Sequence, residues 1–294
     1  MKLAAYATAA VAIACWGSLA LATQLSLQQI LPRVLLFWSF LWASIGLGIH
    51  SVWRRQALKE IRAATPANLA IGLLGTFGSY FCYFSALERA PAIEANLLNY
   101  TWPLQLLVLS LVFLGEPLRW QINVAMGLGM AGAFLLIGQG HWPHLSSEHA
   151  IGYMFAFLSG STWSVYSLML RVRESKNFSL FVSVASATIA SLAFAWREPL
   201  LFRLSLPAVL LSLYIGVVTI AVGYVAWGHA LRHGDVQIVA ALAYLTPLFS
   251  TLLLAMAGKN QLSAASSAGM GMIVAASILA TQRSKAKRIT AAKS

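Results

Sequence analysis

The residues best placed to do chemistry in this 294-residue chain stand in one run, Glu94-Ala-Asn96-Leu-Leu-Asn99-Tyr100-Thr-Trp102-Pro103. A proline inside a helix has no N–H to give and crowds the carbonyl four residues back. Pro103 therefore takes the helical partner from the Asn99 carbonyl, and Pro247 does the same to Ala243. At helical spacing Asn99 and Asn96 share the face of Pro103, with Tyr100 at its border, and the matching face beside Pro247 is Ala240, Ala243 and Tyr244. One wall is polar and the other small and apolar. Such a pair suits reversible binding of a ligand with a zwitterionic end and a ring. Two readings stay open: the face lines a water-filled cavity, or the amides bond neighbouring helices and the prolines only shape packing.

Three ring pairs stand three residues apart, hence on one helical face each: Tyr80 with Tyr83, Trp163 with Tyr166, and Tyr224 with Trp227. A ring could stack on any pair that faces inward. Trp38, Trp42, Trp53, Trp120, Trp142 and Trp196 read instead as packing or interface-belt residues. Glu94 is a possible coupling carboxylate, or an end residue in the headgroup region or paired with Arg89. His229 reads as solvated near a helix end. No deep Asp, Glu or Lys offers a proton relay. Gly127-Leu-Gly129-Met-Ala-Gly132 matches a nucleotide-loop pattern without a strand before it, so close helix packing explains it. His141, His144 and His149 are loosely spaced and complete no zinc set. Cys15 and Cys82 lie in apolar runs as small buried hydrophobes. The sequons at Asn99 and Asn177 fall in a membrane span and a cytoplasmic loop. Nothing points to a nucleophile elbow, paired catalytic carboxylates, a cofactor or an obligate protein partner.

The elements that position these residues are membrane helices. The chain is 59% hydrophobic and 10% charged, with mean hydropathy +0.74, too few charges to cover a soluble surface. Its net charge of +12 sits in short clusters between apolar runs, which excludes a nucleic-acid face. Ten runs are long enough to span, near 4–23, 31–52, 67–87, 91–114, 121–138, 150–170, 179–196, 206–230, 235–257 and 264–281. Met1 and Lys2 open an uncleaved first span. Of the 20 Lys and Arg, those at Lys2, Arg54 to Arg62, Arg119, Arg171 to Lys176, Arg232 and Arg283 to Lys293 lie on one side. Only Arg33, Arg89, Arg197, Arg203 and Lys259 lie on the other. The richer side is cytoplasmic and holds both termini. Sliding the chain by 144 positions places Ala86, Leu87, Tyr100, Pro103, Leu104, Leu109 and Leu118 on Ala230, Leu231, Tyr244, Pro247, Leu248, Leu253 and Leu262. Five spans per copy, an odd number, force the second copy to enter inverted, with a ligand site between the copies near the midplane. The expected division is 1–140, 150–281 and a basic cytoplasmic tail, 282–294. The expected class is thus an all-α integral membrane protein of ten helices in two inverted five-helix repeats.

Ten short spans, the duplication, Trp16-Gly17-Ser18 in the first helix, Pro103 and Pro247 in the fourth and ninth, and Gly115-Glu116-Pro117 after the fourth resemble the drug/metabolite transporter superfamily, EamA type. The run from Glu94 to Pro103 resembles, within it, the bacterial aromatic amino acid exporters of the YddG type. The second copy has Lys259, Asn260 and Gln261 where the first has Gly115, Glu116 and Pro117, so that motif is not needed twice. The resemblance implies a multi-pass protein of the bacterial inner membrane that exports aromatic amino acids and related neutral amphipathic metabolites by alternating access. The substrate would be held among Asn96, Asn99, Tyr100, Tyr80, Tyr83, Trp163, Tyr166, Tyr224, Trp227 and Tyr244, with Pro103 and Pro247 as hinges. Export of other amino acids or small drugs is the alternative within transport, and a membrane enzyme or non-transporting scaffold the alternative outside it.

Overall fold

The computed structural model describes residues 2–141, 143–172, 179–198, 201–259 and 261–282. Trp142, Arg173, Lys176, the sequon asparagine Asn177, Asn260 and the tail from Arg283 lie outside the described residues. All regular structure among the described residues is helical: α1 Lys2–Ser26, α2 Pro32–Trp53, α3 Pro66–Leu87, α4 Ala92–Leu114, α5 Trp120–Gly138, α6 Ala150–Val172, α7 Leu180–Ala195, α8 Leu206–His233, α9 Val236–Met256 and α10 Ala264–Thr281. Short helices Ala57–Ala63 and Ser147–His149 sit in the connections. Starts follow local chemistry. Proline occupies the first turn of α2, α3 and α8, where its missing N–H would be unpaired anyway. Thr65, Ser179, Ser205, Asp235 and Ser263 accept backbone N–H groups as caps. Gly115 ends α4 at φ +62°, a conformation that costs a side-chain-bearing residue.

Eight of these helices are long and apolar enough to cross a membrane. Of the other two, α7 has 16 residues and α6 has 23. The serine-rich α6 is walled in by α3, α4 and α8. Large apolar side chains such as Val112, Ile189 and Met256 remain exposed on the outside of the bundle, as suits a hydrocarbon surround.

The two halves interlock by exchange. Helix α1 packs against α8 and α9, while α6, in the same place of the second half, packs against α3 and α4. Helix α2 packs on α8 and α7 on α3, and the pairs α2–α7 and α5–α10 close the arrangement. Individual contacts obey the slide of 144. A Cβ at Gly72 would collide with Ser183, and one at Gly216 with Ser39, the position equivalent to Ser183. Ser44 Oγ meets its own equivalent, Thr188 Oγ1, at 2.6 Å, and Tyr80 meets its equivalent Tyr224. Self-paired positions of this kind mark an approximate two-fold axis between α2, α3, α7 and α8.

Candidate functional site

Both prolines sit just beyond a break. In α4 the helix is interrupted at Tyr100 and Thr101, where ψ relaxes to 3° and −11°. Side chains take over part of the lost bonding: Thr101 Oγ1 donates to the Leu98 carbonyl at 2.6 Å, and Gln105 Nε2 donates to Thr101 Oγ1 at 2.9 Å. The Asn99 carbonyl turns toward α6, where a Cβ on Gly160 would stand 3.0 Å from it. In α9 the break falls at Ala243 and Tyr244. Here the carbonyl expected to lack a partner has one, because Thr246 N–H donates to Ala243 O at 3.0 Å. A tightened three-residue turn replaces the bond that Pro247 removes.

The helices facing these breaks are distorted as well. Residues Leu74–Gly78 of α3 and Ile215–Val222 of α8 wind as π-helix, and the first maps into the second under the slide. Widened turns shift carbonyls off the regular ladder and are frequent at functional sites. Trp16 Nε1 of α1 donates to the Thr219 carbonyl at 3.1 Å. Correspondingly, Ser159 Oγ of α6 donates to the Ser79 carbonyl just after the α3 segment at 2.9 Å.

Between the breaks lies a continuous aromatic cluster. Trp163 stands 4.9 Å from Tyr224, 5.4 Å from Trp16, 5.6 Å from Tyr166 and 6.4 Å from Trp102, centroid to centroid. Trp227 joins it through Trp16 at 5.2 Å and Trp102 at 5.6 Å, its indole N–H donating to Ser167 Oγ at 3.0 Å. Tyr166 and Trp227 are fully buried, whereas Trp163 is half-buried. Tyr80 reaches the cluster through Tyr224 and packs edge-on to Phe40 at 5.6 Å. Four helices of both halves, α1, α4, α6 and α8, thus supply one ring assembly. The sequence had shown Trp163, Tyr166, Tyr224 and Trp227 but not the central part of Trp16 and Trp102. Trp16 and Trp163 both lie in the first helix of their half but not at one register, since the slide of 144 places Trp16 on Gly160 and Trp163 on Leu19, so the repeat gave no signal for Trp16.

The polar groups divide into used and unused. Asn96 is used at both ends, accepting from Tyr83 OH at 2.6 Å and donating to the Ala92 carbonyl at 2.8 Å, so it ties α3 to α4. The Asn99 amide and the Tyr100 hydroxyl are half-buried and have no hydrogen-bond partner among the described residues, and the buried Thr246 Oγ1 has none either. Tyr244 lies elsewhere, among Leu107, Ile122, Ala125 and Ile273, with its ring against Gly129 of α5. Glu94 accepts from the His144 backbone N–H at 3.3 Å rather than pairing with Arg89. His229 is half-buried near the helix end: its Nδ1 lies 3.1 Å from Thr8 Oγ1 and its ring stacks on His233 at 4.2 Å. Two clefts, of 220 and 260 Å³, lie at helix ends beside Glu198 and Gln28, away from the rings.

Charged ties stand at opposite ends of α4. At one end Arg33 bridges Glu88 at 3.6 Å and Glu198 at 3.4 Å. At the other, Arg119 Nη2 meets Asp235 Oδ1 at 2.8 Å. The buried Gln237 donates there to Glu116 Oε2 at 3.3 Å and to the Pro117 carbonyl at 3.2 Å. Burial, and then the nearby Asp235, push the Glu116 carboxyl above the usual glutamate value, with partial relief from Gln237, Arg171 and Arg119. The Gly-Glu-Pro turn therefore fastens the first half to the start of α9. Positions equivalent to Asp235 and Arg119 are Pro91 and Ser263, which cannot form such a pair, so the tie exists in one copy alone.

Comparison with known proteins agrees with this architecture. The aromatic amino acid exporter YddG of Ancylobacter novellus is 31% identical over 92% of this chain and 94% of its own. The protein of that name from Salmonella typhimurium is 27% identical over 66% of this chain and 68% of its own. The pseudopaline exporter CntI of Pseudomonas aeruginosa is 26% identical over 72% of this chain and 73% of its own. A crystal structure superposes with a TM-score of 0.85 over 96% of this chain and 98% of the other, at 30% identity. The model of the EamA-like transporter family matches twice, over residues 3–138 and 150–282. With two such matches spanning nearly all of its length, this multi-pass membrane protein belongs to the EamA-like transporter family.

Proposed function

We propose that the chain exports aromatic amino acids and related neutral amphipathic metabolites across the bacterial inner membrane by alternating access. The observation that carries this reading is the ring cluster that α1, α4, α6 and α8 build between two broken helices. A transported ring exchanges with Trp163 and its neighbours at little cost, since aromatic pairs contribute about 0.5–1.5 kcal/mol beyond area burial. The Asn99 amide and Tyr100 hydroxyl, unpartnered among the described residues, offer neutral hydrogen bonds to the zwitterionic end.

In this reading all ten helices span, residues 1–140 and 150–281 form inverted repeats, both termini are cytoplasmic, and 282–294 is a basic cytoplasmic tail. The reciprocal packing of the halves supports an axis in the membrane plane, because five spans per half reverse direction. Pro103 and Pro247 act as bending points, with the π segments absorbing the motion of α3 and α8. Glu94 remains a possible coupling carboxylate, since the His144 backbone N–H bonds its Oε1 alone and Oε2 is left to take a proton. The test is flux of labelled amino acids in proteoliposomes. Tryptophan, phenylalanine and tyrosine should be carried, and should compete with one another better than alanine or lysine does. Transport of non-aromatic amino acids alone would move the substrate to the other amino acids or small drugs.

A further inference from the structure

The connection after α2 carries Arg54, Arg55, Lys59 and Arg62, and all four cations are exposed. Beside them Trp53, Leu58 and Ile61 expose 80%, 69% and 53% of their surface. The turn is well defined: Gln56 N–H donates to the Ser51 carbonyl and Arg55 N–H to the Val52 carbonyl, both at 2.9 Å. These are the two bonds of a Schellman cap. Its left-handed position is Arg55, at φ +55°, where glycine is the easier residue. An arginine thus stands where the backbone would favour glycine.

The helix Ala57–Ala63 then puts Leu58 and Ile61 on one face and Lys59 and Arg62 on the next. Its single acid is turned inward. Glu60 Oε2 accepts from Ser51 Oγ at 3.0 Å and from Ser179 Oγ, the cap of α7, at 2.8 Å. That bonding holds the helix against the bundle and removes the acid from the outward face. What remains outside is cationic and apolar together, directly after a 22-residue span candidate whose end lies at headgroup depth. Nucleic acid would engage the cations and leave Trp53, Leu58 and Ile61 in water.

We propose that this segment is a docking surface for anionic phospholipid. Headgroup phosphates sit on Arg54, Arg55, Lys59 and Arg62, while Trp53, Leu58 and Ile61 enter the boundary of the acyl chains. The inference rests on the chain being a membrane protein and is independent of its substrate.

The test uses the full chain in nanodiscs of phosphatidylcholine with or without phosphatidylglycerol, reading thermal unfolding and retention of a fluorescent phosphatidylglycerol. The wild type should prefer phosphatidylglycerol, less so at high salt. Combined Arg54→Gln, Arg55→Gln, Lys59→Gln and Arg62→Gln should lower that preference by at least about tenfold. Arg203→Gln with Lys259→Gln, which removes cations from other loops, should leave it unchanged. Arg55→Gly relieves the turn and so folds at least as well, yet should still weaken retention. An equal preference in the wild type and the combined variant would overturn the proposal. So would stabilisation by inorganic phosphate or a short oligonucleotide equal to that by the lipid.

Discussion

The tie between Arg119 and Asp235 joins the α4–α5 turn to the start of α9, and breaking it should open that side of the protein. The carboxylate has two duties, because Asp235 Oδ1 also accepts the backbone N–H groups of Gln237 and Ile238 at 3.1 and 3.3 Å. Asp235→Asn keeps the cap and removes the charge, since asparagine caps as well as aspartate. Asp235→Ala removes both, and should lose about 1 kcal/mol more stability. The pair is 2.8 Å long with side chains 33% and 27% exposed. It lies between solvent-exposed ion pairs, at about 0.2–1 kcal/mol, and charged hydrogen bonds, at about 1.5–3 kcal/mol. A contribution of about 1–2 kcal/mol, present only while this side is closed, shifts the open population by a factor of about 5–30. Reactivity of a cysteine at Ala240, fully buried on α9, reads that population when Cys15 and Cys82 are replaced by serine. Thiol modification should accelerate similarly in Arg119→Ala, in Asp235→Asn and in the double variant. Unchanged rates in all three, or additive effects of the two single changes, would refute the tie as a conformational lock.

Other expectations follow from the same geometry. A Cβ at Gly75 in the π segment would collide with Tyr166, whereas at Gly78 its nearest neighbour lies at 3.7 Å. Gly75→Ala should therefore lower thermal stability by about 1–3 kcal/mol and Gly78→Ala should not. Glu116 has its folded pKa raised, so its contribution to stability is present while it is protonated and is lost as pH rises from its unfolded pKa toward the folded one. Glu116→Gln should remove that loss, and melting temperature against pH should be flatter than in the wild type. Pro103 stands in the first turn after the break at Tyr100 and Thr101, where proline is tolerated, and Pro103→Ala supplies the N–H that would let the helix run on through the break. The variant should melt no lower than the wild type while flux slows, and undiminished flux would reduce Pro103 to a packing kink.

The helices were legible because ten apolar runs are bounded by prolines and polar caps. The breaks were legible because Pro103 and Pro247 recur at one register. What was not legible came from contacts between the halves. The π segments leave no mark on hydropathy, and within them Gly75 lets Tyr166, and Gly216 lets Ser39, approach the backbone closely. Tyr244 shares its register with Tyr100 yet has a different role, because Gly129 leaves a slot for its ring. The position equivalent to Gly129 is Ile273, itself buried against Gly132, so Tyr100 has no such slot and stays half-exposed. The tie at Arg119 was hidden because Asp235 reads as an ordinary helix cap and its partner lies 116 residues away.

The central claim is that the shared ring cluster is the substrate path, and the most direct measurement is flux through the Trp163→Ala and Trp163→Phe proteins in liposomes. Trp163 touches four rings of that cluster. Its loss should depress tryptophan and phenylalanine flux about tenfold more than flux of a small amino acid, at about 1.4 kcal/mol of lost stacking. Trp163→Phe should recover most of the difference. Equal loss for every substrate, together with a matching fall in melting temperature, would contradict the account and leave Trp163 as a packing residue.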